Sequence, residues 1–532
     1  MDRSQPKKFN TTGVCVPYKH YMLPVLPRIP DVTDMIEGEY YFILHAPRQS
    51  GKTTFIEALT DKINLECNYY ALYCDLSPLR GTIDIDKAVE EIVDLINVSL
   101  ASSGVDELNK MADTYNSIAA IRGSGSKVRM LLNSICRNLS RELVVFFDEA
   151  DCLSGPALVK FLTQIRAGYL VRHQRNNEFP RSMALIGMRD IRDYIVQVRP
   201  EEASTGLASP FNVKKKALTL ANFTQKEIQS LYNQHTEATG QAFDPEAIEK
   251  AWHWSEGQPW LVNALAYEVV VEQLKNDYSK AISRPDIDQA AEILIQRRDT
   301  HLDSLLERLK EPRVISVMDA VFSGSKGKVP IDSDNRQYCI DLGLVTKNED
   351  GSLRPANGIY KEVITRVITD QVQYVIGDYI KIKKWTDGKV LFMSDLLKDF
   401  QRFLRHDSDS FPFNYKEFAA YKYDEATYAF ILQAFLQKIV NGEAKVHRGF
   451  AEGSGRVDLA ILYNGREYLL EVKLEYAKLE DSLEQLAGYL DNNGEKEGWL
   501  VIFDRDVRKS WEEKIYWDTK QIGNLTIHVV GC

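Results

Sequence analysis

Near the C-terminus, three charged residues of types that can hold a metal ion lie on two short apolar segments. The sequence GRVDLAILYNGREYLLEVK, residues 455–473, places Asp458 before an Asn464-Gly465 pair and places Glu471 and Lys473 after it. Asn-Gly between alternating apolar runs predicts a two-residue hairpin turn, because a type I′ turn needs a positive φ at both central positions. This register puts Asp458 directly opposite Glu471, with Lys473 on the same face.

Two carboxylates placed in this way need a partner that neutralises them. Directly opposed side chains have Cβ atoms about 4.5–5.5 Å apart, and like charges so placed destabilise a hairpin. A divalent cation held by Asp458 and Glu471 would remove the repulsion. An ordinary surface cluster, neutralised by Lys473 and Arg456, fits the spacing equally well. The other face is apolar and is expected to pack on a core; it carries Val457, Leu459, Ile461, Leu470 and Val472.

A second group of residues with chemical potential is the stretch APRQSGKTT, residues 46–54. It follows a strand predicted at 39–44 and opens a helix predicted at 55–63, which is the context that a P-loop requires. Loop N–H groups would cradle phosphates, Lys52 would reach the β- and γ-phosphates, and the Thr53 hydroxyl would bind Mg²⁺. The predicted nucleotide-binding residues of this loop are Ala46, Pro47, Arg48, Gln49, Ser50, Gly51, Lys52, Thr53 and Thr54. Ala46 replaces the usual first glycine, so the opening turn must tolerate a Cβ atom.

A further strand supplies the second half of this site. In RELVVFFDEAD, a strand predicted at 143–147 ends in Asp148-Glu149 and delivers them to the edge of the sheet where ligands of open α/β folds bind. We expect Asp148 to hold Mg²⁺ through water and Glu149 to polarise the attacking water. Another strand, predicted at 183–187, leads to Arg189, which either meets the γ-phosphate or caps the following helix as a surface charge.

Composition restricts the classes of function. The chain has 532 residues, which is too long for one hydrophobic core, and its net charge of -10 provides no global positive field for nucleic acid. Its seven cysteines form no CxxC pair and no zinc-type spacing, which fits a reduced, cytoplasmic setting. The N-terminus is polar and no apolar stretch approaches the roughly 20 residues that span a bilayer. We therefore expect a soluble protein with no membrane partner.

Residues from about 9 to 369 resemble bacterial AAA-like P-loop ATPases of the signalling (STAND) and origin-recognition type. APRQSGKTT stands as Walker A, VVFFDEAD as Walker B, and EGQPWLV lies in a helical lid. The resemblance implies ATP as the ligand. It also implies that Gly257 and Pro259 form the GxP motif by which this family senses the nucleotide state.

Residues from about 425 to 503 resemble PD-(D/E)XK nucleases. In that family the Asp and the Glu-x-Lys lie on adjacent antiparallel strands and bind Mg²⁺ or Mn²⁺. The resemblance therefore implies that Asp458 and Glu471 are metal ligands and that Lys473 is catalytic. The proline of the family's name is absent, since Val457 precedes Asp458.

Three further residues match this nuclease family more weakly. Glu425 lies where many such nucleases place a helical glutamate near the metal, although the helix dipole would also favour a glutamate in a first turn. Gln485 and Tyr489 fit the QxxxY pattern of the RecB-like branch, and their i,i+4 spacing puts both on one helix face. Core packing of Tyr489 is the alternative.

Together, these patterns predict an α/β multidomain chain: a P-loop NTPase parallel sheet with a helical lid and a winged helix, followed by an α/β/α restriction-endonuclease-like nuclease domain. The predicted segments are the ATPase core at 1–222, the lid at 223–300, the winged helix at 301–369, a connector at 370–420 and the nuclease-like domain at 421–532.

The predicted function is that of an ATP-regulated nuclease that uses Mg²⁺ or Mn²⁺ to cleave DNA. Its architecture resembles that of proteins of defence against phage or mobile elements, an analogy that carries no chemistry. The alternatives are a nucleotide-driven switch that oligomerises and whose nuclease fold binds nucleic acid or a partner, and a DNA-remodelling motor. A homo-oligomer is left open.

Overall fold

The computed structural model of this chain describes residues 6–112, 123–187, 214–297, 307–309, 311–322, 332–366, 385–407, 431–437, 444–452, 455–474, 479–504 and 509–532. The chain divides into two compact units. The N-terminal unit comprises Met1–His301, Gln337–Thr346 and Ala356–Ile359, and the C-terminal unit comprises Leu302–Arg336, Lys347–Pro355 and Tyr360–Cys532. The five predicted domain segments are finer than this division and stay a prediction.

The N-terminal unit is built on a parallel five-stranded sheet with the strand order β2-β3-β4-β1-β5. The predicted parallel α/β sheet is thereby confirmed. Because all strands run the same way, the loops after β1 and β3 reach the same edge, with only β4 between these two strands. The strands are β1 Tyr41–His45, β2 Tyr70–Asp75, β3 Leu143–Asp148, β4 Ser182–Gly187 and β5 Lys214–Thr219.

Helices cover both faces of this sheet. Alternate strand residues point to opposite sides, so Phe42 and Val144 pack with helices α1 and α2, whereas Ile43 and Val145 pack with α3, α5 and α6. Both faces are therefore buried, as the nearly continuous apolar strands require. The helices are α1 Asp31–Glu37, α2 Lys52–Glu66, α3 Ile85–Ala101, α4 Asp106–Met111, α5 Lys127–Asn138 and α6 Gly155–Val171.

Four α-helices and a π-helical segment lie between residues 223 and 297. Helix α7 begins with a capping box, in which the Thr224 side chain accepts from the Glu227 N–H and the Glu227 side chain accepts from the Thr224 N–H. Helices α8 and α9 each have proline at the first position, where the missing N–H costs nothing. The bounds are α7 Gln225–Thr239, α8 Pro245–Ser255, α9 Pro259–Tyr267 and α10 Arg284–Arg297, with a π-helical segment at Glu268–Gln273.

Two helices and a short hairpin occupy the described residues between 311 and 355. These elements are α11 Pro312–Phe322, α12 Ser333–Asp341, β6 Val345–Lys347 and β7 Leu353–Pro355. Two backbone hydrogen bonds close the hairpin turn: the Gly351 N–H donates to Asn348 O at 3.0 Å and the Asn348 N–H donates to Ser352 O at 2.8 Å.

The C-terminal unit is built on a mixed six-stranded sheet with the order β12-β13-β11-β10-β9-β8. Helix α14 packs on one face, and α13 with the helical segment 431–437 packs on the other, which gives three layers. The elements are α13 Met393–Asp407, β8 Lys445–Glu452, β9 Gly455–Tyr463, β10 Arg466–Leu474, α14 Leu479–Asn493, β11 Glu497–Phe503, α15 Trp511–Lys514, β12 Trp517–Ile522 and β13 Leu525–Gly531. Among the described helices, none is both long and apolar enough to cross a membrane.

The core beneath α14 yields a test of this layer. Leu469 on β10 is fully buried beside Leu486 and Leu490 of α14, whereas Leu462 on the neighbouring strand is 37% exposed. Leu469→Ala should lower the free energy of unfolding by about 2–5 kcal/mol, because it leaves a cavity under the helix. Leu462→Ala is the matched control and should cost less than about 1.5 kcal/mol. Chemical denaturation of the variants measures both; equal costs would contradict this packing.

Candidate functional site

The loop after β1 curls tightly into helix α2. Gln49 has φ +57° and Gly51 has φ +90°, both left-handed, and Gly51 immediately precedes the first residue of α2. The expectation that the opening turn tolerates a Cβ atom is met by burial, since the Ala46 side chain packs in the core between the sheet and α2. The first N–H groups of a helix have no partner within the helix, so the start of α2 beside this loop is an arrangement that binds anions.

Lys52 places its ammonium group inside this loop. Its Nζ donates to Ala46 O at 2.8 Å and to Pro47 O at 2.9 Å, and the side chain is buried. Burial lowers the pKa of Lys52, and the nearby carboxylate of Asp148 opposes that effect. The cation is therefore held by loop carbonyls at the point where the sequence predicted phosphate contacts.

Asp148 joins the two predicted halves of the site. Its Oδ2 accepts from Thr53 Oγ1 at 2.8 Å and from the Tyr73 hydroxyl at 3.2 Å, and its Oδ1 accepts from the Glu149 N–H at 2.9 Å. The structure thus brings Thr53 and Asp148 together. Tyr73 was missed from the sequence; its only signal is a tyrosine near the end of the strand beside Walker B. Desolvation raises the pKa of Tyr73, so its hydroxyl stays a donor.

Glu149 is directed towards an arginine that the sequence analysis also missed. Glu149 is left-handed at φ +51°, and its Oε2 lies 3.1 Å from Arg80 Nη2. Arg80 also donates to Cys152 Sγ at 3.3 Å. Burial, followed by the charges of Asp151 and Asp148, raises the pKa of Glu149. A carboxylate with a raised pKa beside the loop suits a group that accepts a proton from water.

The residues present fit a nucleotide phosphate. Ser50 Oγ is buried and has no hydrogen-bond partner within the part of the chain that the structure describes. A buried hydroxyl without a partner is costly, and a phosphate oxygen in the loop would provide one. Together with the Lys52 ammonium and the α2 N-terminus, this donor set suits an anion.

The predicted GxP motif contacts the loop directly. Gly257 has φ +73°, and a Cβ atom there would lie 1.8 Å from Phe223 O, so only glycine fits. Gln258 Nε2 donates to Arg48 O at 3.4 Å, while its Oε1 accepts from the Leu261 N–H at 2.6 Å. Pro259 is the first residue of α9. The middle residue of the motif, which the sequence analysis did not single out, therefore makes the contact.

An N-terminal segment connects the same loop to the helices, which was also not predicted. The Cys15 N–H donates to Thr54 Oγ1 at 3.2 Å, and Trp260 Nε1 donates to Thr11 O at 2.8 Å. Thr54, predicted to bind nucleotide, is thus engaged with this segment through its hydroxyl. Arg189 lies outside the described residues.

The hairpin in the C-terminal unit has the predicted register. Pairing runs from Arg466–Tyr463 to Leu470–Leu459, and Asn464 and Gly465 both have positive φ, as the turn requires. One residue beyond the last pair, the Asp458 N–H donates to Glu471 Oε2 at 3.4 Å. The Val472 N–H donates to Asp458 Oδ2 at 2.9 Å. Beyond the last regular backbone pair of the two strands, side-chain carboxylates therefore accept hydrogen bonds from the backbone N–H groups.

Lys473 lies against both carboxylates. Its Nζ is 2.7 Å from Glu471 Oε1 and 3.9 Å from Asp458 Oδ2. Glu471 is 1% exposed, and its burial, followed by the charge of Asp458, raises its pKa to about 7, while Lys473 opposes the rise. The triplet is thus held together as the turn predicted, with the lysine making the neutralising contacts.

The face that carries this triplet differs from the simple expectation. The apolar side holds Leu459, Ile461, Leu470 and Val472 as predicted, but Ala460 and Leu469 on the charged side are also buried, under α14. The charges therefore lie at the end of a doubly buried hairpin. The sequence could not show this, because small and apolar residues on the second face give no sign of what covers them.

Two other residues predicted for this site lie on α14. Gln485 Nε2 donates to the Tyr489 hydroxyl at 2.8 Å, so the i,i+4 pair forms as expected. Glu425 lies outside the described residues, as does the segment around it. Among the residues that are described, no cluster of three or more His, Cys, Asp or Glu side chains could hold a metal. The described candidate ligands are a pair of carboxylates, which fits a cation only with ligands from elsewhere.

Several solved structures are similar to part of this chain. The Walker-type ATPase of Pyrococcus abyssi is 13% identical with a TM-score of 0.45, over 68% of this chain and 98% of that one. The ORC2 protein of Aeropyrum pernix in ADPNP–ADP complexes is 12% identical, with a TM-score of 0.38, over 64% and 88% of the respective chains. The Holliday junction branch migration motor RuvB of Thermotoga maritima is 16% identical, with a TM-score of 0.31, over 63% and 91%.

At these identities the likeness concerns the fold alone. No curated protein sequence matches the chain. A family model described as an AAA-like domain matches residues 35–365. This range covers more than half of the chain and includes the loop at 46–54, Asp148 and Pro259, and the chain therefore belongs to the AAA-like domain family.

Proposed function

We propose that the chain is an ATP-hydrolysing protein whose nucleotide site controls a metal-dependent nuclease site in its C-terminal unit, with DNA as substrate. The observation that carries the ATPase half is the Asp148–Thr53 contact beside the Lys52 ammonium. The observation that carries the nuclease half is the contact of Lys473 with two carboxylates placed by one hairpin.

In the nucleotide site, different residues of the chain would bind phosphate, bind Mg²⁺ and accept a proton. Ser50 Oγ and the N–H groups at the start of α2 would bind phosphate oxygens, and Lys52 would balance their charge. Thr53 and Asp148 would hold Mg²⁺, which when bound neutralises phosphate charge and orders water. Glu149 would accept a proton from the attacking water, after its carboxylate leaves Arg80.

In the hairpin site, Asp458 and Glu471 would hold Mg²⁺ or Mn²⁺, with Glu425 as a further proposed ligand. The ion when bound makes water nucleophilic and neutralises the scissile phosphate. Lys473 would orient water and stabilise charge on the phosphate. Gln485 and Tyr489 would position the DNA strand. The chain is acidic overall, so any further phosphate contacts must come from local basic patches.

A second candidate function is a nucleotide-driven switch that oligomerises and uses the C-terminal unit only to bind nucleic acid or a partner. The Gln258–Arg48 contact favours it, because it joins the helical segment to the phosphate loop. ATP hydrolysis with no cleavage under any metal condition would support the switch. Defence against phage or mobile elements is the biological setting that we propose for either function.

Lys52→Ala should weaken nucleotide binding. The substitution removes a buried cation from the loop, and charged hydrogen bonds contribute about 1.5–3 kcal/mol each, so ATP affinity should fall at least about tenfold. Phosphate release should fall to background. Titration calorimetry and a phosphate-release assay measure the two effects.

Lys62→Ala is the matched control for this experiment, since Lys62 lies on the same helix and is 45% exposed. It should change neither quantity. If Lys52→Ala binds ATP as the wild type does, the nucleotide site is wrong. If it loses ATP binding but cleaves DNA unchanged, control of cleavage by nucleotide is wrong.

Lys473→Ala should strongly slow the cleavage of nucleic acid. Plasmid DNA, linear DNA and RNA should be incubated with Mg²⁺, with Mn²⁺ and with EDTA, each with and without ATP. Removing the ammonium that faces the two carboxylates should lower the cleavage rate by about 10²-fold or more. Lys520→Ala, at an exposed ion pair on β12, is the control and should cleave normally. Equal cleavage by the wild type and Lys473→Ala would contradict the nuclease proposal.

Glu471→Gln should stabilise the metal-free protein at pH 8. The folded protein raises the pKa of Glu471 to about 7 from an ordinary value of 4.5, so the folded state binds this proton more tightly than the unfolded state does. The stability that this proton provides is fully present below pH 4.5 and is lost as the pH rises to about 7. Above that pH, the buried carboxylate is charged and lowers the free energy of unfolding. A neutral amide removes this cost, which is on the order of 1–3 kcal/mol.

The measurement is the thermal midpoint in EDTA between pH 5 and pH 8, in which Glu471→Gln should gain most at pH 8. Saturating Mn²⁺ should reduce or reverse the gain, because the carboxylate then has a cation to neutralise it. Glu484→Gln, on the exposed face of α14, should show no such trend. A gain that is independent of pH would contradict the assignment.

A further inference from the structure

Arg28 reaches the phosphate loop from a part of the chain that no motif includes. It ends the 3₁₀ segment Leu26–Arg28, and its Nη1 donates to Ser50 O at 3.3 Å. Its Nη2 donates to Ala221 O, and its guanidinium lies 4.8 Å from the centre of the Phe223 ring. One planar cation thus joins the loop to the segment that enters the helices after β5.

Peptide geometry gives this contact a consequence. In a trans peptide, the C=O of one residue and the N–H of the next point in opposite directions. By holding Ser50 O, Arg28 directs the Gly51 N–H to the other side of that peptide unit. Gln258 holds Arg48 O and in the same way fixes the direction of the Gln49 N–H. Two loop amides of the kind that bind phosphate are therefore oriented from outside the loop.

The two residues that orient these amides are themselves connected through Phe223. The Phe223 N–H donates to Gly257 O at 2.8 Å, and Phe223 O lies only 1.8 Å from the position that a Cβ atom on Gly257 would take. Phe223 is also the ring on which Arg28 stacks. A displacement of the Gly257-Gln258 backbone would therefore act on the loop twice, once through Gln258 and once through Phe223 and Arg28.

We propose that Arg28 is a positioning residue that orients the phosphate-loop amides and links nucleotide occupancy to the position of the Gly257-Gln258 segment. This inference rests on the proposed nucleotide binding and deepens it, since it names a residue through which that site is regulated. Arg28 acts through Ser50, Ala221 and Phe223.

The chemistry of the contact requires arginine. Two separate nitrogens, Nη1 and Nη2, donate to two different carbonyl oxygens while the flat guanidinium faces an aromatic ring, a spacing that one ammonium nitrogen does not match. Burial lowers the pKa of Arg28 to about 10 while Glu227 opposes the fall, so the group is charged at neutral pH. Lysine at this position would keep the charge and lose the bridge.

The test compares the wild type with Arg28→Lys, Arg28→Ala and Arg137→Ala, the last an exposed arginine on α5. ATP and ADP affinities are measured with Mg²⁺, and hydrogen exchange of residues 221–224 and 256–261 is followed with and without saturating nucleotide. Wild type and Arg137→Ala should bind nucleotide and show slower exchange in both segments. Arg28→Lys should bind at least about tenfold more weakly and lose the response at 256–261 even at saturation.

Chemical rescue separates positioning from general loss of structure. Guanidinium ion at millimolar concentration should restore affinity and the exchange response to Arg28→Ala, whereas ammonium ion should not. If Arg28→Ala fails to fold, Arg28→Lys decides. A wild-type chain that binds no nucleotide overturns the proposed function and this inference together. A wild-type chain that binds nucleotide, with Arg28→Lys equal to it in affinity and exchange response, overturns this inference alone.

Discussion

The hydrogen bond between Thr53 Oγ1 and Asp148 Oδ2 is the contact on which the N-terminal unit depends. It joins the first turn of α2 to the end of β3, two elements that are 95 residues apart in sequence. The parallel sheet, in which only β4 lies between β1 and β3, brings these ends to one edge. The apolar faces of the sheet, buried under helices on both sides, hold this edge in place. Burial of the core therefore positions the polar contact that the chemistry needs.

In each site, a lysine belongs to a group of charges that must be paired. In the loop the lysine is itself the buried charge, whereas in the hairpin the carboxylates are. Lys52 is a buried cation that needs oxygen atoms around it, and it finds them in two loop carbonyls near Asp148. Lys473 is the neighbour that two crowded carboxylates need, and it lies against both of them. Buried charge is tolerated when it is paired and hydrogen-bonded. In both sites, the partners seen here are protein groups that a ligand would have to replace or join.

The sequence predicted the parts of these sites that local rules control. Asn464-Gly465 fixed the register of the hairpin because the turn type and the period of two leave one solution. The strand–loop–helix order placed Lys52 and Asp148 at one edge of the sheet. Tyr73, Arg80 and Arg28 escaped prediction, because each contact depends on which strands are neighbours and how far a side chain reaches across them. Polar residues that act through tertiary contacts leave no periodic signal.

The contacts that Lys52 makes with the loop carbonyls affect the affinity of the loop for nucleotide. In the structure, Lys52 already has two carbonyl partners. The free energy of phosphate binding is therefore only the difference between the contacts that the phosphate makes and the Lys52 contacts that it displaces or shares. The Ser50 hydroxyl, which is buried without a hydrogen-bond partner among the described residues, shifts that difference in favour of binding, because a phosphate oxygen would remove the cost of its burial. Gln258 donates to another carbonyl of the same loop, that of Arg48, so a rotation of this peptide unit would alter its contact with the Gly257-Gln258 segment. The coupling between nucleotide and helices that we propose would act through these hydrogen bonds.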